Sequence, residues 1–336
     1  MLAVADKGGL PGARSSKEQP PVRIMAHNYF LPRGLGRRIP IPSWIMWRIE
    51  YGILALLLWV LRLLPLNLAL RVGGSVVATF GPRTSHARKV RNNLKMVCPQ
   101  NTVEETDQLV QDSFRHFGTA IAELARLDHI WEERDERIEF VLLPGATRPD
   151  PSHCTVFVSA HCGAWELTPL VGPYYGVEMP IIYATAKNPH VTDRLKNLRR
   201  ILNSPLVPRE GGIRVLMRLM NQGHSIGLAV DTRMDAGESL PFFGTNALTN
   251  TGPARLAQRY GCEMVPLLGQ RLPHGRFRVN VFPPIRPRDT TATKPEQASD
   301  MSRQLNLLFE SWIRANPGEW LCIKRRWPKF AYKSTH

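Results

Sequence analysis

From about residue 83 onward, short apolar runs of strand character alternate with segments whose apolar residues recur every three or four positions. The strand-like runs fall at 155–160, 180–183, 225–230, 264–268 and 277–282, and helical segments fall near 165–172, 190–202, 213–221 and 253–260. Ahead of them, 85–97 reads as a helix. Thr102 and Glu105 then match a capping box for a second helix, whose apolar face is Phe114, Phe117, Ile121 and Leu124. A last long helix, 295–315, aligns Leu305, Leu308, Phe309, Trp312 and Ile313. Interleaving of this kind predicts an α/β fold, a central sheet flanked by helices, as a single domain over 83–330. No internal repeat and no linker divides it.

The N-terminal part obeys a different pattern. Residues 1–40 are rich in Gly, Pro, Ser and basic side chains and end in Arg33, Arg37 and Arg38, which reads as a flexible basic tail. Residues 41–82 form an apolar, membrane-associating helical segment. The run 52–61 supplies about half of the roughly 20 residues a spanning helix needs before Arg62 and Pro65 interrupt it. A tilted span with Arg62 snorkelling fits, and so does a helical hairpin lying in the interface. A buried core helix is the plainer alternative. Basic residues on both sides, with Arg83, Arg88, Lys89, Arg91 and Lys95 following, suit the anionic cytoplasmic face of a membrane.

Charge points the same way without selecting a partner. Lys and Arg number 44 against 28 Asp and Glu, a net charge of +16, which favours nucleic acid, acidic head groups or an acidic protein. The basic residues are spread along the chain rather than clustered with aromatics, so no nucleic acid is expected as a partner. Five scattered cysteines with no C-x-x-C pair argue against a disulfide framework and a structural zinc site, and suit a reducing cytoplasm.

The chemistry concentrates after the first strand. His161 stands where the run 155–160 ends, the usual position of ligands in open α/β sheets. Gly163 permits a tight turn, and Glu166 follows His161 by five positions, within reach if a helix starts there. A His oriented by a carboxylate is what a general base needs to take a proton from a hydroxyl near neutral pH. Spacing alone is a weak signal, since a His at a strand end is more often structural. Cys162 reads as a buried, inert neighbour, and no metal site is expected from Cys154, His161 and Glu166.

The segment Ser159-Ala160-His161-Cys162-Gly163-Ala164-Trp165-Glu166-Leu167 resembles the H-x4-D/E box of lysophospholipid and glycerolipid acyltransferases. It is most similar to the bacterial late acyltransferases of lipid A biosynthesis. Further blocks agree in order: Arg91 to Leu94, Tyr183 to Asn188-Pro189, Asp231-Thr232-Arg233, Pro241 to Gly244 before Ala247-Leu248-Thr249, and Glu319-Trp320-Leu321 leading to Lys324-Arg325-Arg326-Trp327. The similarity covers roughly 44–329. Two positions depart from it: Ala184 replaces the basic residue after the tyrosine, and Thr232 replaces a Gln or His.

The resemblance implies direct acyl transfer at the cytoplasmic face of the bacterial inner membrane. His161 would act as base and Glu166 would orient it. The acyl thioester serves as co-substrate, from acyl carrier protein or acyl-CoA, with no other cofactor, and the acceptor is an anionic glycolipid, a lipid A precursor. Tyr183, Lys187, Asn188, Arg209, Asp231, Arg233, Thr249, Arg325 and Arg326 are the expected substrate-binding residues, with Arg199 and Arg200 as further cationic candidates. Asp231 reads as a loop or structural hydrogen-bonding residue near the site rather than a second base, and Thr249 fits a helix cap as readily as a substrate contact. A glycerolipid acyltransferase with another acceptor is the first alternative. A membrane-tethered binder of anions or nucleic acid is the non-enzymatic one.

Overall fold

The computed structural model describes residues 42–333, so the basic tail expected at 1–40 lies outside the described residues. The chain begins with α1 (Ser43–Leu63), in which the amides of Ile45 and Met46 bond to the carbonyl of Pro42 and Arg48 lies over the Trp44 ring. Trp44–Leu63 is long and apolar enough to cross a membrane, with a mean hydropathy of 1.6. From Tyr51 onward the helix has two apolar faces. Leu58 and Leu61 are buried, whereas Ile53, Leu56, Trp59 and Leu63 form an exposed stripe at helical spacing.

Pro65 ends this helix and sets the entry to α2 (Leu66–Phe80), since the ring cannot donate to the preceding turn. After α3 (Ala87–Val97) comes α4 (Val103–Ala125), opened by the expected capping box. Glu105 N–H donates to Thr102 Oγ1 at 3.1 Å, and Thr102 N–H donates to Glu105 Oε2 at 2.8 Å. Helices α2 and α4 cross where Gly73 faces Gly118. A Cβ on Gly118 would collide with the Gly73 carbonyl, so the approach requires glycine. Helix α2 is thereby packed closely against α4. Two short helices, α5 (Leu127–Glu132) and α6 (Arg134–Arg137), lead into the sheet.

Nine strands follow among the described residues: β1 (Ile138–Leu142), β2 (Thr155–Ser159), β3 (Ile181–Tyr183), β4 (Leu206–Pro208), β5 (Ile226–Ala229), β6 (Glu238–Phe242), β7 (Thr245–Thr249), β8 (Glu263–Leu272) and β9 (Arg276–Val281). Seven form one sheet in the order β1-β9-β8-β2-β5-β3-β4, parallel except for the β8–β9 hairpin. The other two make a separate antiparallel ribbon. Between strands run α7 (Val171–Tyr175), α8 (Pro189–Leu198), α9 (Gly212–Asn221) and α10 (Gly252–Tyr260), and α11 (Lys294–Ala315) follows β9.

Both faces of the sheet are covered, which is why its strands read as continuous apolar runs. Along β2, Val156 and Val158 join the core beneath α9, α10 and α11, while Phe157 joins the core shared with α1, α4 and α7. The α/β expectation holds. The sequence did not reveal β1, β4 or the β6–β7 ribbon. The first is a half-exposed edge strand, the second has three residues and ends in Pro208, and the third carries Pro241 inside a strand. The helix expected at 165–172 is a 3-10 turn, Trp165–Leu170, before α7, because Pro169 offers no N–H to an α-helical ladder.

Candidate active site

Parallel neighbours β2 and β5 are in register as Val156↔Ile226 through Ser159↔Ala229. Two residues past each strand end stand His161 and Asp231. Their side chains meet, with His161 Nδ1 2.7 Å from Asp231 Oδ1. The second carboxylate oxygen, Oδ2, accepts from Trp320 Nε1 at 2.9 Å. Asp231 is 1% exposed, whereas the His161 side chain keeps 31% of its surface open, so the imidazole faces solvent from a closed support.

The loop carrying His161 is clamped from both sides. Cys162 bridges Trp320, Leu321 N–H donates to the His161 carbonyl at 3.1 Å, and Ala164 N–H donates to the Gly269 carbonyl at 2.9 Å. Gly163 sits between them at φ +54, and a Cβ there would run into the Gly269 carbonyl oxygen. Only glycine meets both demands.

Electrostatics fix the proton. Burial raises the Asp231 pKa, but the charge of His161 and hydrogen bonds from His161 and Trp320 outweigh it, and the carboxyl is held below its usual range. An ionised carboxylate only accepts, so Nδ1 carries the proton and Nε2 is the free base. At His161, burial disfavours the cation. The charge and hydrogen bond of Asp231 prevail, with a smaller contribution from Glu166, and the pKa rises above 6.5 against the opposing charge of Lys324.

Glu166 does not supply the hydrogen bond expected of it. Its carboxylate is gripped by Arg199, with Nη2 at 2.7 and 2.8 Å from the two oxygens and Nε at 3.2 Å. The carboxylate bonded to the imidazole is instead Asp231. The cause is the 3-10 turn, which aims Glu166 at the end of α8 rather than back at His161. Cys162 is buried, and burial followed by the Asp231 charge pushes its thiol well above 9, so it offers no thiolate. No group of three or more possible metal ligands occurs among the described residues.

The expected substrate-binding residues divide. Tyr183 ends β3 and its carbonyl accepts from Arg209 N–H at 3.0 Å, which brings these two together. Lys187 and Arg209 are exposed. Asn188 is instead a buried cap of α8, its Oδ1 accepting from His190 N–H at 3.0 Å. Arg233 pairs with Asp235 at 2.7 Å. Arg326 is 1% exposed, donates to the Leu248 carbonyl and to Thr249 Oγ1 at 2.9 Å each, and stacks over Phe242. Arg326 and Thr249 thus lock the β6–β7 ribbon to the C-terminal segment, and both are buried. Thr249 does not cap α10, since Thr251 holds that position. Arg325 is half-buried, with Nε lacking a partner among the described residues.

A second buried cluster, unforeseen in the sequence, supports the loop from behind. Arg271 holds the fully buried Glu123 by two bonds, at 2.5 and 2.9 Å, and donates to His116 Nδ1 at 2.7 Å. Because guanidinium only donates, His116 is the neutral Nε2–H tautomer. Burial and then the Arg271 charge hold its pKa well below 6.5. Its ring packs on Trp165 at 4.8 Å, and Trp165 meets His161 edge-on at 5.8 Å.

Comparison with known proteins decides the lineage. The model of the family described as bacterial lipid A biosynthesis acyltransferase matches residues 42–329. The chain belongs to that family. It is an acyltransferase, and membership implies an acyl donor and a lipid acceptor. Lipid A biosynthesis palmitoleoyltransferase of Escherichia coli K12 is 24% identical over 296 residues, covering 84% of this acyltransferase and 90% of that protein. A lipid A biosynthesis acyltransferase of Shigella flexneri matches to the same extent, 24% over 296 residues. Among solved structures, the 1-acyl-sn-glycerophosphate acyltransferase PlsC of Thermotoga maritima is 14% identical with a TM-score of 0.34, covering 68% of this chain and 100% of that one.

Proposed function

We propose that this acyltransferase moves a fatty acyl chain from an acyl carrier protein thioester to a hydroxyl of a lipid A precursor, with His161 as general base and Asp231 as its orienting carboxylate. The observation that carries the reading is the His161–Asp231 contact of 2.7 Å at the ends of adjacent parallel strands, with the imidazole open to solvent. His161 Nε2 takes the acceptor hydroxyl proton while the oxygen attacks the thioester carbonyl. Asp231 holds the Nδ1–H tautomer and stabilises the imidazolium that forms. Collapse of the tetrahedral intermediate breaks the C–S bond, and the imidazolium returns its proton to the leaving thiolate. No acyl-enzyme forms, since the neighbouring thiol is buried and protonated. Glu166 acts at one remove, through its charge and through Arg199.

The membrane supplies the acceptor. The exposed stripe Ile53, Leu56, Trp59 and Leu63 enters the apolar layer of the cytoplasmic leaflet while Leu58 and Leu61 stay on the protein. The names of the two bacterial relatives support lipid A as the acceptor class, and the net charge of +16 suits both an anionic glycolipid and an acidic carrier.

The test gives purified protein acyl carrier protein thioesters with a tetra-acylated lipid A precursor or with a lysophospholipid, and reads products by mass spectrometry. Acylation of the precursor alone, lost in His161→Ala with an unchanged melting curve, is the expected result. Acylation of the lysophospholipid instead overturns the acceptor, and activity in a folded His161→Ala protein overturns the base.

A further inference from the structure

A cavity of about 620 Å³ opens beside the last turn of α1, between α5 and the end of α8. Its polar lining is Arg62, Asp128, Arg194, Asn197 and Arg200, over a floor that includes Ile201. Three guanidinium groups therefore surround one carboxylate. That carboxylate is spoken for: Asp128 pairs with Arg62, which also donates to the Ala125 carbonyl at 3.1 Å. Arg194 and Arg200 have no ion pair among the described residues, and the buried Nε of Arg194 has no hydrogen-bond partner there. The buried Nε of Arg194 is a donor left unmet, which is costly, and an anion in the cavity beside Arg200 would meet it.

Position selects the anion. Arg62 lies on the helix whose neighbouring Trp59 and Leu63 are 57% and 63% exposed, so a ligand in the cavity has an apolar surface beside it. Forked donors match the oxygens of a phosphate better than a point charge does. Arg199, between the two lining segments, turns the other way and holds Glu166 of the catalytic loop. We infer that this cavity is a binding site for the phosphate group of an anionic lipid, gripped by Arg194 and Arg200 with Arg62 as a fixed wall. Two sources share that chemistry, a phosphorylated acyl acceptor and a bilayer phospholipid. Assignment to the acceptor rests on the proposed function, whereas the phosphate site itself does not.

The experiment measures binding of the full chain carrying His161→Ala to phosphatidylcholine nanodiscs, so turnover does not enter and failure of the acyl-transfer reading leaves the result interpretable. The discs are doped with phosphorylated tetra-acyl disaccharide, with its dephosphorylated counterpart, or with phosphatidylglycerol. Arg194→Gln and Arg200→Gln are each expected to weaken binding to phosphate-doped discs by about 10-fold and to leave the dephosphorylated counterpart unaffected. Loss confined to the disaccharide makes the acceptor the ligand, and equal loss on phosphatidylglycerol makes it the bilayer. Unchanged affinities in Arg200→Gln, whose side chain is exposed and whose melting curve should match the parent, overturn the site. An equal loss on the dephosphorylated lipid does so too.

Discussion

His161 and Asp231 are separated by 70 positions, the same offset that pairs Val156 through Ser159 of β2 with their partners on β5. The contact is thus an extension of the sheet register beyond the last hydrogen-bonded pair. Two parallel strands deliver their C-terminal residues side by side, and the side chains need only turn toward each other. Precision at the site comes from the sheet rather than from the loops.

Trp320 completes this arrangement through its indole N–H on Asp231 Oδ2. Trp320→Phe keeps the buried ring and removes the donor. A hydrogen bond to a charged group contributes roughly 1.5–3 kcal/mol, so kcat should fall about 10–100-fold with a smaller change in KM. Steady-state kinetics with a melting curve checks it. An unchanged kcat would mean that the second carboxylate oxygen has no part in holding the base.

The loop that carries His161 depends on Gly163. Gly163→Ala places a Cβ against the Gly269 carbonyl at a left-handed φ, whereas Gly211, at φ +73, has nothing within 4 Å of its Cβ position. The backbone strain alone costs on the order of 1–3 kcal/mol. Gly163→Ala should therefore lower the melting temperature clearly more than Gly211→Ala and lower kcat as well. Equal losses in the two variants would remove the steric part of the explanation.

Behind the loop, Arg271 neutralises Glu123, which has no exposed side-chain surface. Arg271→Met strands a buried carboxylate and should cost about 3–5 kcal/mol in chemical denaturation. The double variant Glu123→Leu/Arg271→Met should recover much of that. The deficit of the single variant should also narrow as pH falls. Burial already raises the Glu123 pKa, and protonation removes the charge that lacks a partner. A deficit independent of pH would show that the loss is one of packing.

Much of this was readable in the residues. The capping box at Thr102 and Glu105, the buried runs that became β2 and β5, and the position of His161 at a strand end are local properties. Periodicity and turn chemistry report them directly. The role of Asp231 was not local. It followed a recognisable strand, but only the adjacency of β2 and β5 brings it to His161, and sheet order leaves no mark on either segment. Glu166 misled for a related reason: its spacing suited a helical turn, and Pro169 produced a tighter one. Arg326 misled because its neighbours Lys324 and Arg325 make the segment look like a basic surface. Its guanidinium is instead drawn inward by the Leu248 carbonyl and Thr249.

The pH dependence of kcat/KM for acyl transfer in the parent, Asp231→Asn and Glu166→Gln tests the central relationship most directly. The base must be neutral, so activity rises with pH through the His161 pKa, which Asp231 holds above 6.5. Without that charge, burial lowers the pKa and the acid limb moves to lower pH, while the wrong tautomer reduces kcat by about 10³–10⁴-fold. Glu166→Gln should move the limb less, because its effect on His161 acts through charge without a hydrogen bond. A limb that stays in place in Asp231→Asn and moves in Glu166→Gln would contradict the assignment and return the orienting role to Glu166.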